Sequence, residues 1–418
     1  MITARALAGK HYAVYGLARS GLATVEALLA SGARVTAWDG KEEARAQAPD
    51  GAEMANLDAA DLSQFDSLVV TPGLPLNRHP ITQRASDASL EIIGDIELFA
   101  RARPELPPHR VVGITGTNGK STTTALVHHI LKTAGVPAAM GGNIGLPILA
   151  QEPLPDGGVY VLELSSYQID LTQSLDCDVA VLLNISPDHL DRYEDFEAYA
   201  ASKLRLFEMS SGTHIGAPAQ AKAQERANAA SHRPGPRPAG HALGPALQGP
   251  HNAQNAAAAN AACRALGISD RNIADGLRTY AGLPHRMERI RERSGVLYVN
   301  DSKATNPTAT APALAAFEKI RWICGGQAKT DRLDECAPHF GHVRSAYTIG
   351  EAAELFERLL APHMPVKNCG KLDEAVRQAA HDAQAGDTVL LSPACASFDQ
   401  FRDFEDRGDQ FRRLVGAL

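Results

Sequence analysis

The feature that most constrains this chain is a glycine-rich segment at residues 111–122, which reads VVGITGTNGKST. An apolar run leads into a tight turn, and a helix-like stretch over residues 123–131 follows. This order predicts a strand, a loop and a helix N-terminus, where backbone N–H groups bind phosphate oxygens. We expect Lys120 to reach the outer phosphates and the Ser121 or Thr122 hydroxyl to serve Mg²⁺. An ordinary strand–helix turn is the alternative, because the glycine spacing departs from the strict phosphate-loop pattern.

Length and composition limit the number of domains and the classes of partner that this chain can have. At 418 residues the chain is expected to hold two or three domains, and its 44% hydrophobic content is ample for packed cores. The net charge of −7, without a long basic run, argues against nucleic acid as the main partner. Six cysteines stand singly, which is typical of free thiols in a reducing cytoplasm. The sequence offers neither a signal-peptide core nor an apolar run of transmembrane length.

The first hundred residues begin with a βαβ pattern. Residues 11–15 are predicted as a strand, residues 22–30 as a helix and residues 34–38 as a second strand that ends at Asp39. An acidic residue at this place is typical of nucleotide-binding Rossmann folds. A plain structural βαβ unit remains the alternative, because Ala18 replaces the middle glycine of the fingerprint.

A rigid turn follows the next predicted strand. Residues 67–71 run into Pro72-Gly-Leu-Pro75, and such turns at the carboxyl ends of strands are where α/β sheets bind ligands. The composition then shifts to Arg and Pro over residues 101–108, which sets a domain boundary just before the phosphate loop.

Two polar residues follow apolar strands after the phosphate loop. Glu163 lies in the apolar run 158–164, and His189 comes shortly after the run 179–185, while residues 141–145 are predicted as a loop. Either residue alone would more often be structural. A carboxylate and an imidazole placed alike at strand ends suit a divalent metal that also holds ATP phosphates.

Two helices flank a segment of low complexity. Residues 194–209 are predicted as a helix that carries Lys203, and a second, Ala-rich helix spans residues 251–266. Between them, residues 212–249 are rich in Ala, Pro, Gly and Gln and are predicted as a partly flexible surface segment.

In the last third, polar loops repeatedly follow apolar strands. The predicted strands are residues 296–299, 320–324, 347–349 and 388–391, after a linker at residues 283–286. Ordinary turns would explain each loop singly. They explain poorly the joint occurrence of Asp-Ser-Lys at 301–303, Lys-Thr-Asp at 329–331 and Ser-Phe-Asp at 397–399.

Together these motifs resemble those of the Mur ligases. Residues 115–122, 162–168, 184–192 and 283–286 match the family's motifs in order. Residues 301–306 and 392–404, followed by Arg407-Gly408, are similar to the D-glutamate-adding member. The resemblance spans nearly the whole chain except about residues 212–249, where the segment is shorter than in typical relatives.

The resemblance implies an α/β protein of three domains. A Rossmann-like domain at residues 1–100 would bind the UDP substrate, a P-loop ATPase-like domain at 101–282 would bind ATP, and a Rossmann-like domain at 283–418 would bind the amino acid. It further implies a cytoplasmic, monomeric ligase of peptidoglycan precursor synthesis. This enzyme would add D-glutamate to UDP-N-acetylmuramoyl-L-alanine through an acyl phosphate, using ATP.

The resemblance also implies roles for individual residues. ATP would contact Gly116, Thr117, Asn118, Gly119, Lys120, Ser121 and Thr122, with Asn252, Asn255, Arg286 and Asp301 around the adenosine. The UDP substrate would contact Ser20, Asp39, Gly73 and Asn143. D-Glutamate and the reacting phosphate would contact Lys303, Thr305, Lys329, Ser397 and Phe404. The loop of Lys329 departs from the family at Ala328, where an acidic residue is common.

The metal ligands are implied in the same way. Two Mg²⁺ sites would be formed by Ser121, Glu163, His189 and a carbamylated Lys203. The catalytic set would be Lys120, His189, Lys203 and Lys303. The general base for the amine is left unassigned, because an imidazole that binds a metal is a poor base.

Two other functions remain open at this level. One is a related Mur or folylpolyglutamate-type ligase that adds a different amino acid. The other is a P-loop switch that hydrolyses ATP slowly and binds a protein partner. Residues 301–306 and 392–404 distinguish the D-glutamate-adding enzyme from the first alternative. The second predicts ATP hydrolysis that does not require the UDP substrate.

Overall fold

The computed structural model describes residues 1–188, 191–216, 243–247 and 250–418. These form two compact units, the first comprising Met1–Leu243 and Pro250–Tyr280 and the second Gly244–Gly249 and Ala281–Leu418. The first unit contains two five-stranded sheets and the second a six-stranded sheet, which confirms the predicted α/β class. All six cysteines are free, as predicted. No helix in the described part of the chain is long and apolar enough to cross a membrane.

The first sheet is entirely parallel, with strand order β3-β2-β1-β4-β5. Its strands are β1 (His11–Tyr15), β2 (Arg34–Trp38), β3 (Glu53–Met54), β4 (Ser67–Val70) and β5 (Ile92–Ile93). Its helices are α1 (Arg19–Ala30), α2 (Glu42–Arg45), α3 (Pro80–Asp87) and α4 (Asp95–Ala102). The predicted βαβ unit is confirmed, and α1 begins at Arg19, so that Ser20 lies in its first turn.

The second sheet is also parallel, with strand order β10-β9-β6-β8-β7. Its strands are β6 (His109–Thr115), β7 (Ala138–Gly142), β8 (Gly158–Glu163), β9 (Val179–Leu182) and β10 (Thr213–Ile215). Its helices are α5 (Lys120–Thr133), α6 (Ser166–Asp170), α7 (Phe196–Glu208), α8 (Pro250–Ala265) and α9 (Asp270–Thr279). Because β6, β8 and β9 are neighbours and parallel, the loops after them lie at one edge of the sheet.

Two sequence-based predictions for this region need correction. Residues 141–142 belong to β7 rather than to a loop, because they pair in register with Leu162 and Glu163 of β8. Within the supposed flexible segment 212–249, residues 213–215 form β10, which pairs with β9. Residues 217–242 and 248–249 lie outside the described residues.

Polar and backbone contacts join the first two sheets within one unit. The Ile2 amide donates to the Leu149 carbonyl at 2.9 Å. The buried Glu97 carboxylate of α4 accepts from the Gln173 amide at 2.7 Å and the Ser174 amide at 2.9 Å. A carboxylate that accepts several hydrogen bonds offsets the cost of its burial, so these contacts stabilise the junction.

The second unit is built on a mixed sheet of strand order β11-β12-β16-β13-β14-β15. Its strands are β11 (Glu288–Arg293), β12 (Val296–Asn300), β13 (Ile320–Gly325), β14 (Val343–Ile349), β15 (Val366–Gly370) and β16 (Thr388–Leu391). Its helices are α10 (Pro307–Ala315), α11 (Ala353–Leu360), α12 (Leu372–Asp382) and α13 (Phe404–Ala417). Strand β11 is antiparallel to β12 and was not predicted, because its sequence, ERIRER, is charged. Charge on an edge strand discourages pairing with another chain.

Candidate functional site

The phosphate loop lies where the sequence predicts it, between β6 and α5. Strand β6 is buried over most of its length, and α5 begins at Lys120. Gly116 and Glu163, which lie at adjacent strand ends, share this edge because Ile114 pairs with Glu163. Lys120, Ser121 and Thr122 therefore occupy the first turn of α5, where unpaired N–H groups and the helix dipole favour an anion.

Gly119 has a conformation and surroundings that favour glycine. Its φ is +86°, a left-handed conformation, and an added Cβ would lie 2.2 Å from Asn255 Oδ1. Asn255 is buried on α8, and its Nδ2 lies 3.4 Å from Asn252 Oδ1. The fold thus brings Asn255 to the phosphate loop, and Asn252, the other predicted adenosine-binding asparagine, lies beside Asn255.

Replacing Gly119 by alanine is expected to destabilise the protein and to weaken ATP binding. A left-handed alanine costs roughly 1–2 kcal/mol, and the clash with Asn255 adds to this cost. Gly135→Ala is the matched control, since Gly135 has φ +75° and no atom within 4 Å of an added Cβ. Urea unfolding is expected to place Gly119→Ala below Gly135→Ala in the free energy of unfolding, and equal values would contradict the proposed clash.

Asn184, which follows β9, fixes the loop from the other side. Its carbonyl accepts from the Thr117 amide at 2.9 Å, and its Oδ1 accepts from the Asn118 amide at 2.8 Å. Its Nδ2 donates to the Asn118 carbonyl at 3.0 Å. Asn184 belongs to the motif at residues 184–192 and was given no role of its own from the sequence; a carboxamide at the end of a strand next to β6 was the signal for this role.

The Lys120 ammonium folds back over its own loop. Its Nζ donates to the Gly116 carbonyl at 2.8 Å and to the Thr117 carbonyl at 2.9 Å. The Thr117 hydroxyl is held by the Ser186 amide at 3.0 Å and lies 3.1 Å from the Tyr199 hydroxyl. This arrangement places a positive charge at the rim of the phosphate loop.

Glu163 ends β8 as a buried carboxylate with one open oxygen. Its Oε1 accepts from Asn143 Nδ2 at 2.9 Å, whereas its buried Oε2 has no hydrogen-bond partner within the described residues. A buried carboxylate oxygen without a donor is costly unless a cation pairs with it. Glu163 and the Ser121 hydroxyl are oxygen donors of the kind that Mg²⁺ prefers, so the site fits this ion.

Lys203 lies on α7 and is almost fully buried, at 2% exposure. Its Nζ lies 4.7 Å from the centroid of the Tyr199 ring. Burial, reinforced by the nearby positive charge of Lys120, lowers the pKa of Lys203 to about 7, although Asp188 and Asp170 oppose the shift. A neutral amine is therefore accessible at ordinary pH.

Three of the four predicted metal ligands, Ser121, Glu163 and Lys203, belong to the described residues. His189 lies outside the described residues. Across residues 1–188, 191–216, 243–247 and 250–418, no group of three or more His, Cys, Asp or Glu side chains could hold a metal. Mg²⁺ is commonly held by one or two carboxylates together with substrate phosphates, and a single open Glu163 oxygen suits that mode.

Three of the four predicted UDP-substrate residues, Ser20, Asp39 and Gly73, lie at the carboxyl edge of the first sheet. The Asp39 carboxylate accepts from the Leu17 amide at 2.8 Å and the Lys41 amide at 2.9 Å, so it orders the turn after β1. Ser20 lies in the first turn of α1, and Gly73 is exposed in the turn after β4, where no atom lies within 4 Å of an added Cβ. Asn143 comes from the second sheet and contacts Glu163.

Two predicted adenosine-binding residues belong to the second unit. The Arg286 Nε is buried without a hydrogen-bond partner within the described residues. Asp301 is buried, and its carboxylate accepts from the Met287 amide at 3.1 Å and the Ser392 hydroxyl at 2.8 Å. Both partners belong to the second unit, and burial raises the pKa of Asp301 to about 7.

The predicted amino-acid-binding residues lie on loops that the fold ties together. Gln327, two residues before Lys329, exchanges two backbone hydrogen bonds of 2.9 Å with Ala396, the neighbour of buried Ser397. Lys303 Nζ lies 5.4 Å from the Phe404 ring centroid, and the Thr305 amide donates to the Lys303 carbonyl. Lys329 itself is exposed.

Arg407 donates hydrogen bonds to the loops that carry these residues. The sequence predicts no role for it beyond its motif. It is fully buried, and its guanidinium donates to the Ser302 hydroxyl at 2.9 Å and the Ser302 carbonyl at 2.8 Å. It also donates to the carbonyls of Cys395 and Ala396. Burial lowers the pKa of Arg407 to about 10, but the guanidinium stays charged at neutral pH. Arg407 therefore joins the loop after β12 to the loop after β16.

Comparison with family models covers most of the chain in three segments. Residues 10–94 match the MurD-like N-terminal domain of Mur ligases. Residues 114–237 match the Mur ligase middle domain, and residues 285–395 match the Mur ligase glutamate ligase domain.

Curated relatives match over the whole length. A protein of Novosphingobium aromaticivorans named UDP-N-acetylmuramoylalanine–D-glutamate ligase is 60% identical over 100% of this chain and 97% of its own. Relatives with the same name from Sphingopyxis alaskensis and Zymomonas mobilis are 59% and 54% identical, each covering 100% of both chains.

Solved structures show the same fold at low identity. A UDP-N-acetylmuramate–alanine ligase of Thermotoga maritima aligns with a TM-score of 0.61 at 16% identity, over 98% of this chain and 99% of its own. A bifunctional folylpolyglutamate synthase/dihydrofolate synthase of Yersinia pestis aligns with a TM-score of 0.53 at 18% identity, over 77% and 93%. The fold is therefore common to ligases with different substrates.

Proposed function

The chain belongs to the Mur ligase family, and we propose that its phosphate-loop edge carries out the chemistry of the D-glutamate-adding member. The protein is an ATP-dependent, ADP-forming ligase that joins D-glutamate to UDP-N-acetylmuramoyl-L-alanine in peptidoglycan synthesis. The observation that carries this conclusion is the 60% identity over the whole chain to a relative of that name. Shared fold alone would not decide it, since folds host many functions.

The reaction requires activation of a carboxylate. A carboxylate oxygen of the UDP substrate attacks the γ-phosphorus of ATP, and ADP leaves with the electrons of the broken bond. The amine of D-glutamate then attacks the carbonyl carbon of the acyl phosphate, and inorganic phosphate leaves. D-Glutamate arrives as an ammonium ion, so one proton must be lost before the attack. The identity of the base stays open.

ATP and Mg²⁺ are the family's cofactors, and we assign their ligands as follows. The N–H groups of residues 116–122 would hold the phosphates, and Lys120 would neutralise charge on the transferred phosphoryl group. Ser121 and Glu163 would hold Mg²⁺, which screens phosphate charge when bound. His189 and a carbamylated Lys203 complete the proposed ligand set for two Mg²⁺ sites. The open Glu163 oxygen and the lowered pKa of Lys203 support this assignment.

The domain roles follow the three sheets. Residues 1–100 are proposed to bind the UDP moiety through Ser20, Asp39 and Gly73, residues 101–282 ATP, and residues 283–418 the amino acid. A monomer working in the cytoplasm, where ATP is available, is part of the same proposal. Water must be excluded from the acyl phosphate, because hydrolysis would waste it.

Two lysines of the second unit are proposed to bind the carboxylates of D-glutamate. Lys303 lies beside the Phe404 ring, and exposed Lys329 lies on the loop that is hydrogen-bonded next to Ser397. An ammonium group pairs well with a carboxylate, and charged hydrogen bonds are about twice as strong as neutral ones. Thr305 is also proposed to contact the amino acid. Asp301 and Arg286 are proposed to contact the adenosine of ATP.

Lys329→Ala is expected to raise KM for D-glutamate about tenfold and to leave KM for ATP nearly unchanged. The reason is the loss of one carboxylate partner, and steady-state kinetics with each substrate varied in turn measures it. Arg332→Ala is the control, because Arg332 is an exposed cation of the same loop region that pairs with Asp334. Equal increases in both KM values would contradict a specific role for Lys329.

Phosphate release tests the function directly. Purified protein with ATP, Mg²⁺ and UDP-N-acetylmuramoyl-L-alanine is expected to release phosphate with D-glutamate and not with L-glutamate. A panel of other amino acids, and a folate substrate with glutamate, distinguishes the related ligases. Activity with another amino acid, or ATP hydrolysis independent of the UDP substrate, would overturn the proposal.

A further inference from the structure

Arg192 lies between β9 and α7 of the second sheet's domain. It contacts the turn after β4 that is proposed to bind the UDP substrate. Its Nη2 donates to the Leu74 carbonyl at 2.7 Å, and its Nη1 lies 3.4 Å from the Gly73 carbonyl. These carbonyls belong to the Pro72-Gly-Leu-Pro75 turn after β4. One side chain of the second sheet's domain thus holds two consecutive carbonyls of the first.

The contact is reciprocal. Asn77 Nδ2 and Arg78 Nη2, which follow the turn, donate to the Asp191 carbonyl at 3.0 and 2.8 Å. Residues 191–192 and 73–78 therefore exchange hydrogen bonds in both directions. Such two-way contacts fix the relative position of two segments better than one bond between flexible side chains, because several atoms must move together.

An aromatic stack fixes Arg192 itself. Its guanidinium carbon lies 4.3 Å from the Tyr167 ring centroid, and Tyr167 stacks on Tyr193 with centroids 6.1 Å apart and planes 12° apart. The Tyr193 hydroxyl donates to Asp170 at 2.8 Å. A planar guanidinium on an aromatic face loses little freedom when it donates two hydrogen bonds, which a lysine cannot reproduce.

The stack begins next to the proposed metal ligand. Tyr167 lies on α6, whose N-cap Ser165 follows Glu163 by two residues. A capping box of Ser165 and Gln168 fixes the start of this helix. These contacts connect the 73–74 turn to the end of β8, where Glu163 Oε2 lies without a hydrogen-bond partner within the described residues.

We propose that Arg192 is a positioning residue for the UDP substrate, acting through the Gly73–Leu74 turn. This inference rests on the proposed function. With its carbonyls held by Arg192, the turn keeps the exposed Gly73 in one conformation for ligand binding. Without Arg192 the turn can adopt other conformations. The apparent affinity for the substrate then falls, because only a fraction of the molecules has the binding conformation.

Steady-state kinetics of Arg192→Ala tests the inference. KM for UDP-N-acetylmuramoyl-L-alanine is expected to rise at least tenfold, with KM for ATP within twofold and kcat at saturation reduced less than KM is raised. Arg192→Lys is expected to recover only part of the loss. Arg103→Ala is the control, since Arg103 holds the Asp176 carbonyl at the opposite edge of the second sheet and is expected to leave all three constants unchanged.

A second variant covers the case in which Arg192→Ala fails to fold. Asn77→Ala removes an exposed side chain from the reciprocal contact and is expected to raise the same KM about threefold. An unchanged KM in Arg192→Ala, or in both Asn77→Ala and Arg192→Lys, overturns the inference, as does an equal rise in KM for ATP. Wild-type protein without turnover would instead reject the proposed function.

Discussion

Lys120→Ala is expected to lower kcat by about a thousandfold while the protein stays folded. The ammonium donates to the Gly116 and Thr117 carbonyls, but these contacts lie at the rim of the loop and the side chain is only half buried. Its proposed contribution is to neutralise the charge that develops on the transferred phosphoryl group. Single cationic groups that act in this way contribute factors of about 10³ to 10⁵.

The measurement is phosphate release at saturating substrates, with circular dichroism and thermal unfolding to establish that the variant is folded. Lys132→Ala is the matched control, because Lys132 is an exposed lysine near the other end of the same helix. Turnover of Lys120→Ala within tenfold of the wild-type rate would remove Lys120 from the catalytic set.

Local sequence patterns were sufficient for the elements that carry the site. Strands β1, β2 and β16 have the predicted bounds, because each is a short apolar run between polar residues. The phosphate loop was predicted from glycine and lysine placed directly after such a run. These features depend on residues close together in the chain, which is why a single sequence reveals them.

Contacts between distant segments could not be predicted in the same way. The fit of Gly119 against Asn255 and the hydrogen bonds of Asn184 to the loop join residues far apart in sequence. The role of Arg407 required knowledge that the loops after β12 and β16 are adjacent. A fully buried arginine also contradicts the ordinary expectation for a charged residue, and only its carbonyl partners explain it.

The charged edge strand β11 shows a different limit. The sequence of β11 has Arg or Glu at most positions, so apolar residues do not recur at every second position. Most of its side chains are exposed. Its pairing comes from β12 through backbone hydrogen bonds, with a register shift between Arg289 and Arg291. Strand assignment from hydrophobic pattern fails for an edge strand that is mostly exposed and contributes only Ile290 to the core.

The remaining large effect concerns Lys203, whose environment makes covalent modification by CO₂ feasible. A neutral amine attacks the carbon of CO₂, and loss of one proton leaves a carbamate anion with two oxygens. Burial lowers the pKa of Lys203 to about 7, so the neutral fraction grows as pH rises through this value. We therefore expect activity that depends on CO₂ to increase between about pH 6 and pH 8.

Lys203→Ala is expected to lose at least a hundredfold in kcat, because the metal site lacks the carbamate oxygens that would serve as ligands. Short carboxylic acids such as acetate or formate, at high concentration, are expected to restore part of the activity by supplying carboxylate oxygens in the space left by the side chain. Chloride at equal ionic strength controls for salt. Mass spectrometry of native protein under ¹³CO₂ with chemical trapping provides a readout independent of turnover.

Two outcomes would decide against modification. An active Lys203→Ala enzyme would show that neither the amine nor its carbamate is needed. A Lys203→Ala enzyme that is inactive but indifferent to added carboxylates, with no trapped carbamate in the wild type, would show that the ammonium itself is required. Lys203 would then act as a cation near Lys120, whose positive charge lowers the pKa of Lys203. An ammonium group, however, has no lone pair with which to bind Mg²⁺. The burial and lowered pKa of Lys203 therefore support the proposed carbamate, whose negative charge would pair with the metal.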